Sequence, residues 1–167
     1  RVVPSPGLST LLGGLSMAAL VAAAFAGTVL LVYHSFVRAD ADTSGQQQPE
    51  SALRSGSPAS LVEWETLGRK GRDFVSDGPT AATIEGFSGV PAKEPIRVYV
   101  GKEQAGTPQE RAALLVEEAR RAGGFDRESL VVVVTSGLGS VHPVSARTLE
   151  YVANGDVATA ASAYSAV

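Results

Sequence analysis

Cysteine is absent from the 167 residues, which removes disulfides, thiolate metal ligands and thiol nucleophiles from consideration. Histidine occurs only as His34 and His142. Two imidazoles so far apart and so differently surrounded do not suggest a multi-histidine metal site, and neither metal nor cofactor is expected. Positive charge is not concentrated either. Lysine and arginine number 14 against 17 acidic residues, for a net charge of -3, and they form no basic stripe, so nucleic acid is not an expected partner. Neither Gly-Lys-Ser/Thr nor Gly-x-Ser-x-Gly occurs. The first absence excludes a P-loop, and the second leaves the sequence without a nucleophile elbow. Between Arg1 and Arg38 there is no formally charged side chain, while the remainder is mixed and polar. The two parts suit different surroundings.

The uncharged part reads LLGGLSMAALVAAAFAGTVLLVYHSFV from 11 to 37. About 20 apolar helical residues cross a bilayer core, so a transmembrane helix is expected over 8–38, with Tyr33, His34 and Arg38 at an interface. A buried helix and a secretory segment are the alternatives. The length of the run, and the lack of a small-x-small site before Arg38, weigh against the secretory one. Gly13, Gly14, Ser16, Ala18, Ala22 and Ala26 would admit a neighbouring helix. The expected partners are therefore membrane lipid and other transmembrane helices, and the expected location is the plasma membrane, with the side of the polar domain open. Residues 39–60 hold few large apolar groups and read as a polar linker.

From 61 to 167 the pattern is that of an α/β domain. Val62, Trp64 and Leu67 suit a short amphipathic helix ended by Gly68 or Gly71, with Trp64 as a structural anchor. EPIRVYV (94–100) alternates as a strand. Thr107-Pro108-Gln109-Glu110 is an N-cap with proline at the first helical position and glutamate at the third. It opens a helix with Ala112, Leu115 and Ala119 on one face, stopped by Gly123-Gly124. SLVVVVT (129–135) is apolar on both faces, which predicts a central strand covered on both sides. Together these give a right-handed βαβ unit with the two strands as parallel neighbours. Ser145 is expected to cap the next helix, with Leu149 and Val152 facing the sheet. VATAASAYSAV (157–167) reads as a final helix capped by Asp156.

Ligands gather beyond the carboxyl ends of such strands, which is where Thr135-Ser136-Gly137-Leu138-Gly139-Ser140 falls. Its glycines and amides suit a phosphate or an oxyanion, and equally a plain turn. Gly137-Leu138-Gly139 opens a dinucleotide fingerprint, with Asp156 as a ribose carboxylate, but His142 and Pro143 break it at the third glycine. Ser136 or Ser140 as nucleophile with His142 as base is a further alternative. Neither serine is flanked by glycines at elbow spacing, so no catalytic residue is assigned.

LGRKGRDFVSDGP, EPIRVYVG, RAALLVEEARRAGGFDRESLVVVVTSGLG and LEYVANGDVATAASAYS, in that order over 67–165, resemble a family of actinobacterial membrane proteins. These have an N-terminal transmembrane region and a C-terminal α/β-hydrolase-like domain. The family loop is similar to T-G-T-G-W followed by valine, an acidic residue and proline. In one register Ser136 takes the first glycine's place; one residue later, in the register that keeps both glycines, Gly137-Leu138-Gly139 fall on the glycine-threonine-glycine core and Ser140 on the tryptophan, with His142 in a changed Val-His-Pro continuation. The resemblance implies a serine hydrolase, an esterase or other acyl hydrolase, with Gly137, Leu138 and Gly139 as a weak oxyanion or anion cradle. It also implies that the nucleophile, acid and histidine lie in a longer product, so that the remainder of the domain is itself a partner and this piece is inactive alone. The alternative is a non-catalytic membrane interaction or scaffold protein with a degenerate hydrolase-like domain.

Overall fold

The computed structural model describes residues 6–136 and 139–163, which fall into two compact units, Arg1–Ala39 and Asp40–Val167. In the first unit, helix α1 (Pro6–Ala41) runs for 36 residues and exposes large apolar side chains such as Leu20, Phe25 and Leu31. From Thr10 to Ala41 it is long and apolar enough to cross a membrane.

The second unit is mixed α/β, a hydrolase-like fold. Its elements are α2 (Gly68–Ser76), α3 (Ala81–Ser88), β1 (Ile96–Val100), α4 (Pro108–Arg121), β2 (Ser129–Val134), α5 (Pro143–Val152) and β3 (Val157–Ser162). The sheet is parallel with order β1-β3-β2. The strands expected as neighbours are therefore parallel but separated by β3. That third strand is the segment read as a final helix. Ile96 lies beside Ala158 and Val98 beside Ala160, and these four pack with Ala119 and Ala122 of α4. On the opposite face Tyr99 and Ala161 pack with Phe74 of α2 and Ala146 of α5. Alanine on β3 lets helices approach the centre of the sheet from both sides.

The valine quartet is not central. β2 forms the sheet edge, and Val132 and Val134 are 69% and 86% exposed. The central strand is β3, and β1, at the opposite edge, is nevertheless buried at all five positions. Three further expectations change. The turn Trp64–Leu67 is a 3-10 helix, and Gly68 starts α2 where it was expected to end a helix. The buried face of α4 carries Arg111, Glu118 and Ala119, not Ala112. On α5 it carries Ala146 and Glu150, while Val152 is exposed. Other readings match: the Thr107 capping box with Pro108 at the start of α4, Gly123 in the left-handed region after it, and Trp64 buried in the core.

Residues 53–57, within the segment read as a linker, pack on the outer side of β1. Arg54 bridges Arg97 in parallel, and Ser55 N–H donates to Arg97 O at 3.1 Å. Glu118 holds this segment to α4, accepting from Ser55 Oγ at 3.0 Å, Ser60 Oγ at 2.7 Å and Leu61 N–H at 3.0 Å. Burial raises the Glu118 pKa, but the Arg121 bond, with Ser60 and the Leu61 amide, outweighs it and the net shift is downward. The stabilisation this gives is complete above the unfolded carboxyl value and is lost as pH falls through the lower folded value. Glu118→Gln should cost about 1.5–3 kcal/mol at neutral pH and should flatten the loss of stability below about pH 4. Denaturant unfolding read by Trp64 fluorescence at several pH values checks both.

Arg97, 1% exposed, donates from Nε and Nη2 to the two Glu150 oxygens at 2.6 and 2.7 Å and from Nη1 to Phe74 O at 2.7 Å. Removing one member strands the other charge in the core. Glu150→Ala should therefore cost about 3–5 kcal/mol, and Arg97→Met with Glu150→Leu should recover most of that loss. The same unfolding measurement decides it.

Candidate functional site

Three parallel strands end on one edge of the sheet, and the β2–α5 loop lies there. Thr135, buried, ties its start to the end of β3 by donating from Oγ1 to Ser162 O at 3.0 Å. The loop then closes on itself. Ser136 N–H donates to Ser140 O at 3.1 Å and Gly139 N–H to Ser136 O at 2.8 Å, while Ser140 N–H donates to Ser136 Oγ at 3.2 Å. Gly139 has φ +76°, a left-handed backbone that favours glycine. Of the expected cradle, Gly139 is thus placed in the loop with its amide engaged in the turn. Gly137 and Leu138 lie outside the described residues.

Tyr99, which the sequence reading treated only as a strand position, supports this turn from the sheet. Its hydroxyl donates to Gly139 O at 2.7 Å, and burial raises the phenol pKa, keeping it a neutral donor. The ring fits because Gly71 lacks a side chain: a Cβ there would lie 2.5 Å from the ring. Holding the Gly139 carbonyl fixes the Gly139–Ser140 peptide plane, and with it the direction of the Ser140 amide.

His142 caps α5 in place of the expected Ser145. Its Nδ1 accepts from Ser145 N–H at 3.4 Å and lies 3.3 Å from Ser145 Oγ. This cap needs the neutral ring, since a protonated imidazole has no acceptor. Ser140 Oγ is directed to Val141 O at 3.5 Å, and Ser136 Oγ to the Ser140 amide. Among the described residues, neither serine is brought to His142. Asp156, considered as a ribose ligand and as a helix cap, stands ahead of β3. It accepts from Lys93 Nζ at 2.7 Å and Glu128 N–H at 3.3 Å.

Beside the loop, a cleft of about 490 Å³ is lined by Ser140, Val141 and Pro143 and, from α2 and its end, by Lys70, Asp73 and Asp77. Asp77 is committed: both its oxygens accept from Arg147 Nη2 at 2.6 Å. Burial alone would raise its pKa, but the Arg147 bond and the Gly78 amide bring it below the ordinary value. The cleft therefore offers hydroxyls, an ammonium and carboxylates beside a glycine turn. Tyr99→Phe, which keeps the ring and removes the hydroxyl, should forfeit about 1 kcal/mol of local stability. Amide exchange at Gly139 and Ser140 should then rise about fivefold. Unchanged exchange at those amides would show that the hydroxyl does not hold the turn.

Two family models match the chain in order along the sequence. Residues 1–79 match the alpha/beta-hydrolase family N-terminus, and residues 96–167 match the alpha/beta-hydrolase family. No curated protein and no solved structure matches it. With the parallel sheet, the helices on both its faces and the long apolar helix ahead of them, these two matches make the chain alpha/beta-hydrolase-like.

Proposed function

We propose that this chain is the membrane-anchored, hydrolase-like part of an acyl hydrolase, an esterase or a related enzyme, and that it does not turn over esters by itself. The observation that carries the reading is the pair of family matches on 1–79 and 96–167, together with a glycine turn at the carboxyl-terminal edge of a parallel sheet. Anchoring is supported by α1, which from Thr10 to Ala41 is long and apolar enough to cross a membrane. In acyl transfer, backbone amides beside the reacting carbonyl stabilise the developing oxyanion. The cradle proposed is the Gly137-Leu138-Gly139 stretch, of which the Gly139 amide is engaged in closing the turn. No Gly-x-Ser-x-Gly occurs in the 167 residues, so the nucleophile is assigned to a longer product, whose further strands extend the sheet at β2. The exposure of Val132 and Val134 supports that extension.

The second reading is a non-catalytic membrane interaction protein, and the same feature favours it. An edge strand with no lysine, proline or bulge to blunt it is open to a partner's strand, and the small residues of α1 suit neighbouring helices.

Hydrolysis of a p-nitrophenyl ester separates the readings. The purified chain should give no turnover, and a longer product of the same gene carrying Gly-x-Ser-x-Gly should give turnover that is lost when that serine becomes alanine. Turnover by the 167-residue chain that disappears in Ser136→Ala would refute the first reading. An inert longer product would leave the interaction reading.

A further inference from the structure

The loop after β1 carries a feature that the hydrolase reading does not use. Lys102, Glu103, Gln104, Ala105 and Gly106 enclose, with Arg111, a second cleft of about 430 Å³. Arg111 is only 4% exposed and belongs to the opening turns of α4, whose dipole already presents positive charge there. Its Nε donates to Ala163 O at 3.1 Å and its Nη1 to Ala105 O at 3.1 Å. Among the described residues no carboxylate lies within ion-pair distance of this guanidinium, and its Nη2 has no bonding partner there. Buried Arg54 and Arg97 differ, each meeting an acid, Glu94 at 3.5 Å and Glu150 at 2.6 Å. A buried cation held by neutral carbonyls alone is costly unless an anion completes it.

The rest of the lining matches that need. The Gln104 oxygen accepts from Thr66 Oγ1 and from Glu63 N–H at 3.4 Å, which turns the amide nitrogen away from both. Lys102 is exposed and lines the same cleft, as does Glu103.

We propose that this cleft is a binding site for a single compact oxyanion, a carboxylate or a phosphate group of a small molecule. The Arg111 fork is the principal ligand, and Lys102 and Gln104 are flanking donors. The planar guanidinium suits two-point recognition of such a group, and Glu103 in the lining disfavours a polyanion. The site requires no acyl transfer, so it stands or falls apart from the hydrolase reading.

The full chain in detergent micelles is titrated at constant ionic strength with acetate and, separately, with inorganic phosphate. The amides of residues 101–106 and the Arg111 Nε–H are followed by NMR. Saturable shifts confined to these groups are expected in at least one arm, and the arm that saturates more tightly identifies the group. Lys102→Ala changes an exposed residue and should weaken binding about threefold. Arg111→Lys keeps the charge but loses the fork, and should weaken it about tenfold. Shifts that stay linear in both arms overturn the proposal. So does an affinity unchanged in both variants or, where Arg111→Lys does not fold, unchanged in Lys102→Ala. Inactivity of a longer product toward esters would leave these outcomes as they are.

Discussion

The buried ion pair between Arg97 and Glu150 is the constraint around which the α/β unit is arranged. Arg97 is on β1 and Glu150 on α5, and the same guanidinium reaches the Phe74 carbonyl of α2. Its neighbour Arg54 donates to Val75 O at 2.9 Å and Asp77 O at 2.7 Å. One strand, two helices and the segment before α2 are thereby held in one register. Desolvating these charges opposes most of their attraction, so the pair contributes little net stability compared with an apolar replacement. Its larger effect is selection. Sliding β1 by one residue would turn Arg97 toward the Ile96 and Val98 face, where it would meet Ala119 and Ala122 and lose Glu150, the Glu118 of that side being already bonded to Ser55, Ser60 and Arg121. Because α5 is fixed in this way, its first turn and the loop before it have a fixed place at the sheet edge, where Tyr99 fastens the loop from below.

How much of this could be read from sequence depended on whether a local pattern carried the information. The capping box at Thr107 to Glu110 is chemistry within four residues, and α4 begins where it says. Strand β1 was visible through the alternation of Ile96, Val98 and Val100 with Arg97 and Tyr99, which by itself leaves the face of Arg97 and Tyr99 unassigned to the core. Nothing local shows that Glu150, fifty-three positions away, and the Gly139 carbonyl turn that face into core. β3 was hidden for a different reason. VATAAS is rich in alanine, the strongest helix former, and only its place between two strands makes a small-residue strand favourable there. Four identical valines offer no alternation, and so no local sign that one face of β2 is open.

The site shows the same division. Glycines and hydroxyls after a β-strand marked the β2–α5 loop correctly as the carboxyl-terminal edge. The side chains that act on the two edge loops, Tyr99 and Arg111, were missed because each lies in an element read for its periodicity. A usable signal existed for Arg111: a cation in the opening turns of a helix, against the dipole. His142 is the reverse case. It was weighed as a base because histidine suggests proton transfer, yet its position before Pro143 is that of a cap, and its nitrogen takes the amide a helix start leaves over.

The open edge of β2 has a geometry that bears on what covers it. Leu130, Val132 and Val134 lie beside Ala158, Ala160 and Ser162, and so on the α4 face. The connection from β1 to β2 steps two strands across the sheet over that face through α4. The return from β2 to β3 steps back one strand over the opposite face through α5. Reversing the direction and changing the face together preserve the hand, so the two crossovers share one hand, which for parallel strands is by general rule the right one. A parallel strand reached from β3 and placed beyond β2 would step in the first direction again. Its helix must then cross over the α4 face, directly above Val132 and Val134. The exposed row of valines is therefore where a right-handed continuation of this sheet would lay its next helix, whereas a strand added by an unrelated partner would satisfy the backbone edge and leave that row uncovered.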